Sequence, residues 1–445
     1  MEMLGMYPTW YEPGLGSGWV LAVIAVIHVL ASHTSVGAAL VFAWLATVAY
    51  RRQRPELLEY VRRYGVALLV FSYVLGSITG PGIWFASTVA SPRGISGLIH
   101  SYVWVWATEW VFFVGEVVGI YALVYLANKV DQKTHLNLVR YFAIASWGTM
   151  LIIVGILSFM MWPGQQAWYT EGGTLNGFYG PYTFGQVITR TGFMLMCAAV
   201  VGGIVASRIS DADFRKEMTR KLALLGIAGA VVGFLGLQWT LTTLPEHAVT
   251  VMAARLPEWF VPSMWATLGT TVAYFVLTWA TPRILTPWLA VGMAVAVMMF
   301  GIWPNETARE SMRKPWVAGQ YIYSNQVIGR DVPALGVKSE LPQLQARGML
   351  ASHPFVPDRL RQVTEANKQE AGHTLALIYC TNCHNLGDTG IRPIKRYIAG
   401  MDESALSGFI SGVLATGAMP HMPTMPMTEA EAGALAKYLA SLGAK

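Results

Sequence analysis

Charge is the scarcest property of this chain: Asp, Glu, Lys and Arg supply 13% of its 445 residues, while hydrophobic residues supply 54%. A soluble globular domain is about a quarter charged, so this balance excludes one and fits a polytopic membrane protein. Cysteine is nearly absent as well. With Cys197, Cys380 and Cys383 as the whole complement, a disulfide framework or a multi-thiolate metal site has too few members. Despite a formal net charge of +6, no basic arm with interleaved aromatics occurs, so nucleic acid is not indicated as a partner. Residues 1–18 contain no Lys or Arg and no small-residue cleavage pattern. The first apolar run therefore reads as a retained helix rather than a cleaved signal.

What is present is a C-x-x-C-H run, Cys380-Thr-Asn-Cys383-His384. Two thiols at this spacing can form thioethers with the vinyl groups of a haem, and the adjoining histidine can then ligate the iron. The sequence thus predicts a covalent haem c held by Cys380, Cys383 and His384. Attachment of this kind is made outside the cytoplasm, which puts the segment on the outer face of an energy-transducing membrane. Cys197 lies in an apolar run and reads as inert packing. A low-spin c haem takes a sulfur opposite its histidine, and Met419, in Gly417-Ala-Met419-Pro420, lies at a fitting distance along the chain. Met422 and Met425 repeat the Met-Pro pattern and compete with it, and His421 is a further alternative.

Apolar runs over about 19–50, 64–86, 101–127, 141–162, 184–207, 221–244, 260–280 and 287–303 predict eight membrane spans. The loops between them alternate in charge. Arg51, Arg52, Arg54, Arg62 and Arg63, then Lys129 to Arg140, Arg208 to Lys221 and Arg283 mark the basic side, whereas Pro163 to Phe184 has no Lys or Arg. The positive-inside rule places the N-terminus outside, and an even number of spans returns the C-terminus there. The haem motif demands the same side independently. The expected architecture is all-α: a polytopic helix bundle over 1–303, an outer-face connector over 304–371 and a small helical cytochrome c domain over 372–445. Thr428 and Glu431 read as the capping box of its last helix. The expected location is a bacterial-type inner (cytoplasmic) membrane, with both termini on the periplasmic face and lipid around the spans.

Ionisable residues inside spans are costly and point to function. His28 lies in the first span and Glu109 in the third, at similar depth from the outer face. Glu116 follows Glu109 by seven residues, which keeps both carboxyls on one helix face about two turns apart. These three could ligate a haem and pass protons inward. His33 and His100 read as histidines bonded to a neighbouring helix. Arg190, early in the fifth span, either snorkels to the surface or neutralises a haem propionate.

Taken together, these positions resemble subunit I of the cytochrome bd quinol oxidases. The segment His28-Val-Leu-Ala-Ser-His33-Thr-Ser-Val-Gly37 looks like the family's helix with a histidine ligand of an active-site haem. Glu109 and Glu116 fall near its paired carboxylates, Lys133-Thr-His135-Leu136 resembles the loop that follows, and Met160-Met-Trp162-Pro163-Gly164 resembles the end of its fourth helix. Glu310-Ser-Met-Arg313-Lys-Pro315-Trp316 is similar to the signature Glu-x-Gly-Arg-Gln-Pro-Trp, whose glutamate ligates a high-spin haem. The resemblance implies Glu310 as an iron ligand, Arg313 as part of the cofactor site, haem b with haem d as a further candidate, and a second membrane subunit, with other respiratory subunits also conceivable as partners. It implies a terminal oxidase taking electrons from cytochrome c or quinol. The rival expectation is an electron-transfer subunit of a larger respiratory complex that reduces no oxygen, and a third is a membrane anchor that has lost its haems. Three departures are visible. Arg190 stands near the family's low-spin haem histidine, with only Met264 near its methionine; the Pro245–Trp259 loop is too short for the quinol-binding loop; and the haem-motif segment replaces the ninth span. His247 is a weak substitute ligand there.

Overall fold

The computed structural model describes residues 4–127 and 129–443. It is an α-helical bundle with eight helices long and apolar enough to cross a membrane: Ser17–Arg52, Pro55–Ala90, Pro92–Tyr125, Gln132–Met161, Pro181–Ala206, Ala212–Thr242, Phe260–Ala280 and Pro287–Arg313. The chain is a multi-pass membrane protein, and every expected span has its helix. Several begin earlier than their apolar windows because local chemistry sets the start. Pro55, Pro92, Pro181 and Pro287 occupy first turns, where a missing N–H costs nothing. Asp131 and Asp211 cap the fourth and sixth helices, accepting from Thr134 N at 3.0 Å and Phe214 N at 2.7 Å.

The first and fifth helices form the centre. The first packs on the second, fourth and fifth, and the fifth also packs on the sixth and eighth. Small residues permit the tightest crossing. A Cβ at Gly192 would collide with the backbone of Gly233, so the fifth and sixth helices meet almost backbone to backbone.

The eighth helix runs ten residues past the apolar window that ends at Trp303. It continues through Pro304 to Arg313, keeping Glu306, Arg309 and Glu310 helical. Wide π turns over Val297–Ile302 immediately precede Trp303 and Pro304. Such turns loosen the usual hydrogen-bond ladder where the proline lacks its donor, so the helix carries on. The stretch expected as an outer-face connector packs against the end of the bundle. A hairpin of Trp316–Ala318 and Ile322–Tyr323 joins a core with Leu98, Tyr102, Phe159 and Trp168 from the third and fourth helices and the loop after them. Arg93 is buried at the start of the third helix, paired with Glu340 at 2.6 Å and donating to Gln326 O at 2.8 Å.

Helices Lys368–Cys380, Glu403–Phe409 and Glu429–Gly443 build a second apolar core, which they share with connector residues such as Val327, Leu344, Leu350 and Leu360. The capping box is present: Glu431 N donates to Thr428 Oγ1 at 3.3 Å and Thr428 N to Glu431 at 3.1 Å. The first and last of these helices cross at Gly372, where a Cβ would run into the Ala434 carbonyl oxygen. Gly372→Val should therefore loosen this body by about 1–3 kcal/mol through overpacking. Amide hydrogen exchange of the full chain should rise across both helices while the spans stay protected. Unchanged protection would mean that the crossing tolerates a side chain.

Residues Tyr11 to Leu15, just before the first span, reach across to this C-terminal body. Tyr11 donates its hydroxyl to Asn385 Oδ1 at 2.6 Å, and Ile391 N donates to Leu15 O at 2.7 Å. The N-terminal segment, the connector and the C-terminal body thus share one end of the bundle.

Candidate functional site

Cys380 ends its helix, and the chain then turns so tightly that Cys383 N and His384 N both donate to Cys380 O, at 3.1 and 2.9 Å. His384 Nδ1 lies 2.9 Å from Arg392 O. A carbonyl can only accept, so Nδ1 carries the proton and Nε2 keeps its lone pair, the arrangement an iron-ligating histidine needs. Burial, with the nearby Arg255 and His421, pushes this imidazole down to about 4, which keeps it neutral. Burial likewise pushes the Cys380 thiol up to about 12. It is the free Nε2 of His384 and the two undisulfided cysteines beside it, not the thiol's acidity, that fit a covalently held haem.

On the opposite loop, Met425 and Met427 are packed in the C-terminal core, and Met425 N is fixed to Leu414 O at 2.9 Å. Met419 is half-buried, Met422 N donates to Met419 O at 3.1 Å, and His421 has a buried Nδ1 without a partner among the described residues. Arg255 donates to His421 O at 3.4 Å and has Cys383, Tyr397 and Glu310 in its charge environment. Its one side-chain hydrogen bond among the described residues is thus to the loop that carries Met419 and Met422.

Within the bundle, His28 Nδ1 lies 3.0 Å from Thr79 Oγ1, and that hydroxyl already donates to Leu75 O at 2.8 Å. Thr79 must then accept, which again leaves Nε2 with its lone pair. His135, by contrast, is satisfied at both nitrogens, by Tyr50 at 2.7 Å and by Leu123 O at 3.0 Å. His100 bonds to Ser96 of its own helix and His247 to Gln320. Cys197 is buried as packing.

Glu116 is 5% exposed and accepts from Ser35 at 2.9 Å and Tyr73 at 2.8 Å, tying the first three helices together. Glu109 lies in its charge environment, half-buried beside the exposed Trp110 and Val111. Glu310 pairs with Arg313 and, at 2.7 Å, with Lys314. Its side chain is 40% exposed, so carboxylate surface remains for another ligand. The first and eighth helices meet where Trp19 packs on Trp303, with ring centroids 4.8 Å apart, and where Val26 and Leu30 touch Ile302. Among the described residues no direct bond joins His28, Glu109 and Glu310, and no cluster of three metal-ligating side chains occurs. The candidate residues His28, Glu109 and Glu310 thus sit singly.

Sequence reasoning missed Glu306, Arg309 and Arg255. The first two were hidden because the apolar window stops at Trp303, although a Glu and an Arg three positions apart on one helix were readable. Arg190 proves to be neither at the surface nor alone: it lies 3.6 Å from Glu306.

No family model matches this chain, and no curated protein matches it. Among solved structures, the bd oxidase from Geobacillus thermodenitrificans is similar at a TM-score of 0.59 and 15% identity. The helix bundle shares its fold. The similarity covers 69% of this chain and 89% of that one.

Proposed function

We propose that this chain is a membrane haem oxidoreductase of bd-like architecture, in which a c-type centre on the outer face exchanges electrons with membrane haem sites and oxygen is reduced. The observation that carries this reading is the His384 loop. Its free Nε2 and paired cysteines are seated on the end of the bundle that carries Glu310, with Arg255 close to Cys383 and Glu310 alike. His28, with its free Nε2, and Glu310 would hold haem b or haem d in the membrane part, and Arg313 would neutralise its periphery. Met419 would complete the c site. When bound, the irons supply the redox couple and, at an open position, the place where oxygen binds. The chain's own task is to insulate that place and to bring protons to it. Glu116, held by Ser35 and Tyr73, is the internal proton-holding group, and Glu109 is its neighbour on the same helix. The exposed Phe85, Trp104 and Trp110 give the second and third helices an apolar exterior suited to lipid and to a second membrane subunit.

Electrons arriving from cytochrome c would reach the membrane site through the c centre, replacing the quinol route that the short Pro245–Trp259 loop cannot build. Stopped-flow reduction of the full chain and of a chain truncated before residue 372 tests this order. Reduced cytochrome c should reduce the membrane haems only in the full chain. Fast reduction by quinol in the truncated chain would refute it. The second reading, a relay subunit without oxygen reduction, is favoured by the engagement of Glu310 with Arg313 and Lys314, since these cations compete with iron for the same oxygens. Reduced-minus-oxidised spectra with and without carbon monoxide decide between them, because only the oxidase has a carbon monoxide-sensitive high-spin haem.

A further inference from the structure

Arg190 of the fifth helix is 7% exposed, and among the described residues its one carboxylate partner is Glu306 of the eighth, at 3.6 Å. Glu306 is already taken. Arg309, one turn on, holds it at 2.6 and 2.8 Å through two nitrogens. Two guanidiniums thus share one carboxylate, and the cluster carries an excess positive charge largely shielded from water. Its donors are also in excess. Arg190 Nε, Arg309 Nη1 and the hydroxyl of Tyr182, which is 4% exposed, are buried without a hydrogen-bond partner among the described residues. Tyr182 lies in the charge environment of Arg190, Arg309 and Glu306, so the unpaired donors belong to one neighbourhood. Buried donors left unpaired are costly, and buried excess charge more so. Both costs vanish if the same acceptor meets them.

We propose that Arg190, Arg309 and Tyr182, set between the fifth and eighth helices, form an internal binding site for one carboxylate-type anion, with Glu306 fixing the two guanidiniums. The planar forks of the arginines suit a group that presents two oxygens, and Tyr182 adds a neutral donor. Two sources share this chemistry: the propionate of a membrane haem and a free small carboxylate.

The test uses the purified full chain and its Arg190→Gln and Glu306→Gln variants. Resonance Raman spectra of the non-covalent haem report the propionate source, and isothermal titration with sodium formate reports the free one. If a propionate occupies the site, Arg190→Gln shifts the propionate bending modes, and formate finds no place in the wild-type chain. If a free anion does, the wild-type chain binds formate saturably. Arg190→Gln then weakens that binding by roughly tenfold to a hundredfold, the worth of a charged hydrogen bond. Glu306→Gln frees the guanidiniums from their internal competitor and should bind formate more tightly than the wild type in the second case. It also guards the test should Arg190→Gln fail to fold. A self-contained ion cluster would behave otherwise: unchanged Raman modes in both variants together with no formate binding in any of the three proteins would overturn the site. The formate arm holds whether or not the membrane haems are present.

Discussion

Cys380→Ala combined with Cys383→Ala should abolish haem staining of the denatured chain, and each single change should reduce it, because each removes one of two thioethers. The structure makes the expectation specific. The two residues are joined by the Cys383 N to Cys380 O bond at 3.1 Å, and neither is engaged in a disulfide, so alanine at both removes the thiols without removing a fold-holding link. Staining should be lost while the non-covalent haem content and the helical signal of the spans remain. Full staining of the double variant would end the c-type reading. Staining lost together with all membrane haem would instead mean that the C-terminal body is required for the bundle to take up its cofactors.

The second large effect is expected inside the bundle. His28→Ala and Glu310→Ala should each lower the non-covalent haem content, because a haem stripped of its axial protein ligand loses its main anchor. The two variants differ in their side effects. Removing His28 leaves the hydroxyl of Thr79 bonded to Leu75 O, so no buried donor is stranded there. Removing Glu310 strands two cations, Arg313 and Lys314, both 7% exposed, and should destabilise the end of the eighth helix by several kcal/mol. Glu310→Gln separates the two effects: it keeps the shape and loses the charge. Haem content measured by pyridine haemochrome on variants matched for helical content gives the answer, and unchanged haem in His28→Ala and Glu310→Ala would sink the assignment.

Much of this was legible in the residues. Eight apolar runs and the Thr428–Glu431 box are local signals, and local signals survive folding because hydrogen-bond chemistry within a turn settles them. The end of the eighth helix was not legible, since Pro304 and the polar residues after it read as a connector. What keeps that segment helical is a set of turns and a packing surface that no short window contains. Arg190 was the harder case. Along the sequence it has two equal explanations, and only Glu306, far along the chain, decides that it is buried. His28 and His384 stood out as candidates from the sequence, but which nitrogen each leaves free depends on Thr79 and on Arg392 O, partners set by tertiary structure.

The bond from Tyr11 to Asn385 spans 374 positions. With the Ile391 to Leu15 pairing beside it, it closes almost the entire polypeptide into one ring. Contacts between such remote positions repay their closure entropy only after the intervening segments have found their places. Loop-closure entropy therefore favours clasping the loop after His384 once the spans between are packed. Until then the C-x-x-C-H turn would stand open, as covalent attachment of the proposed haem requires. Afterwards the N-terminal segment lies over the following loop as a latch, so assembly of this protein has an order in time that its linear sequence, read from first residue to last, conceals.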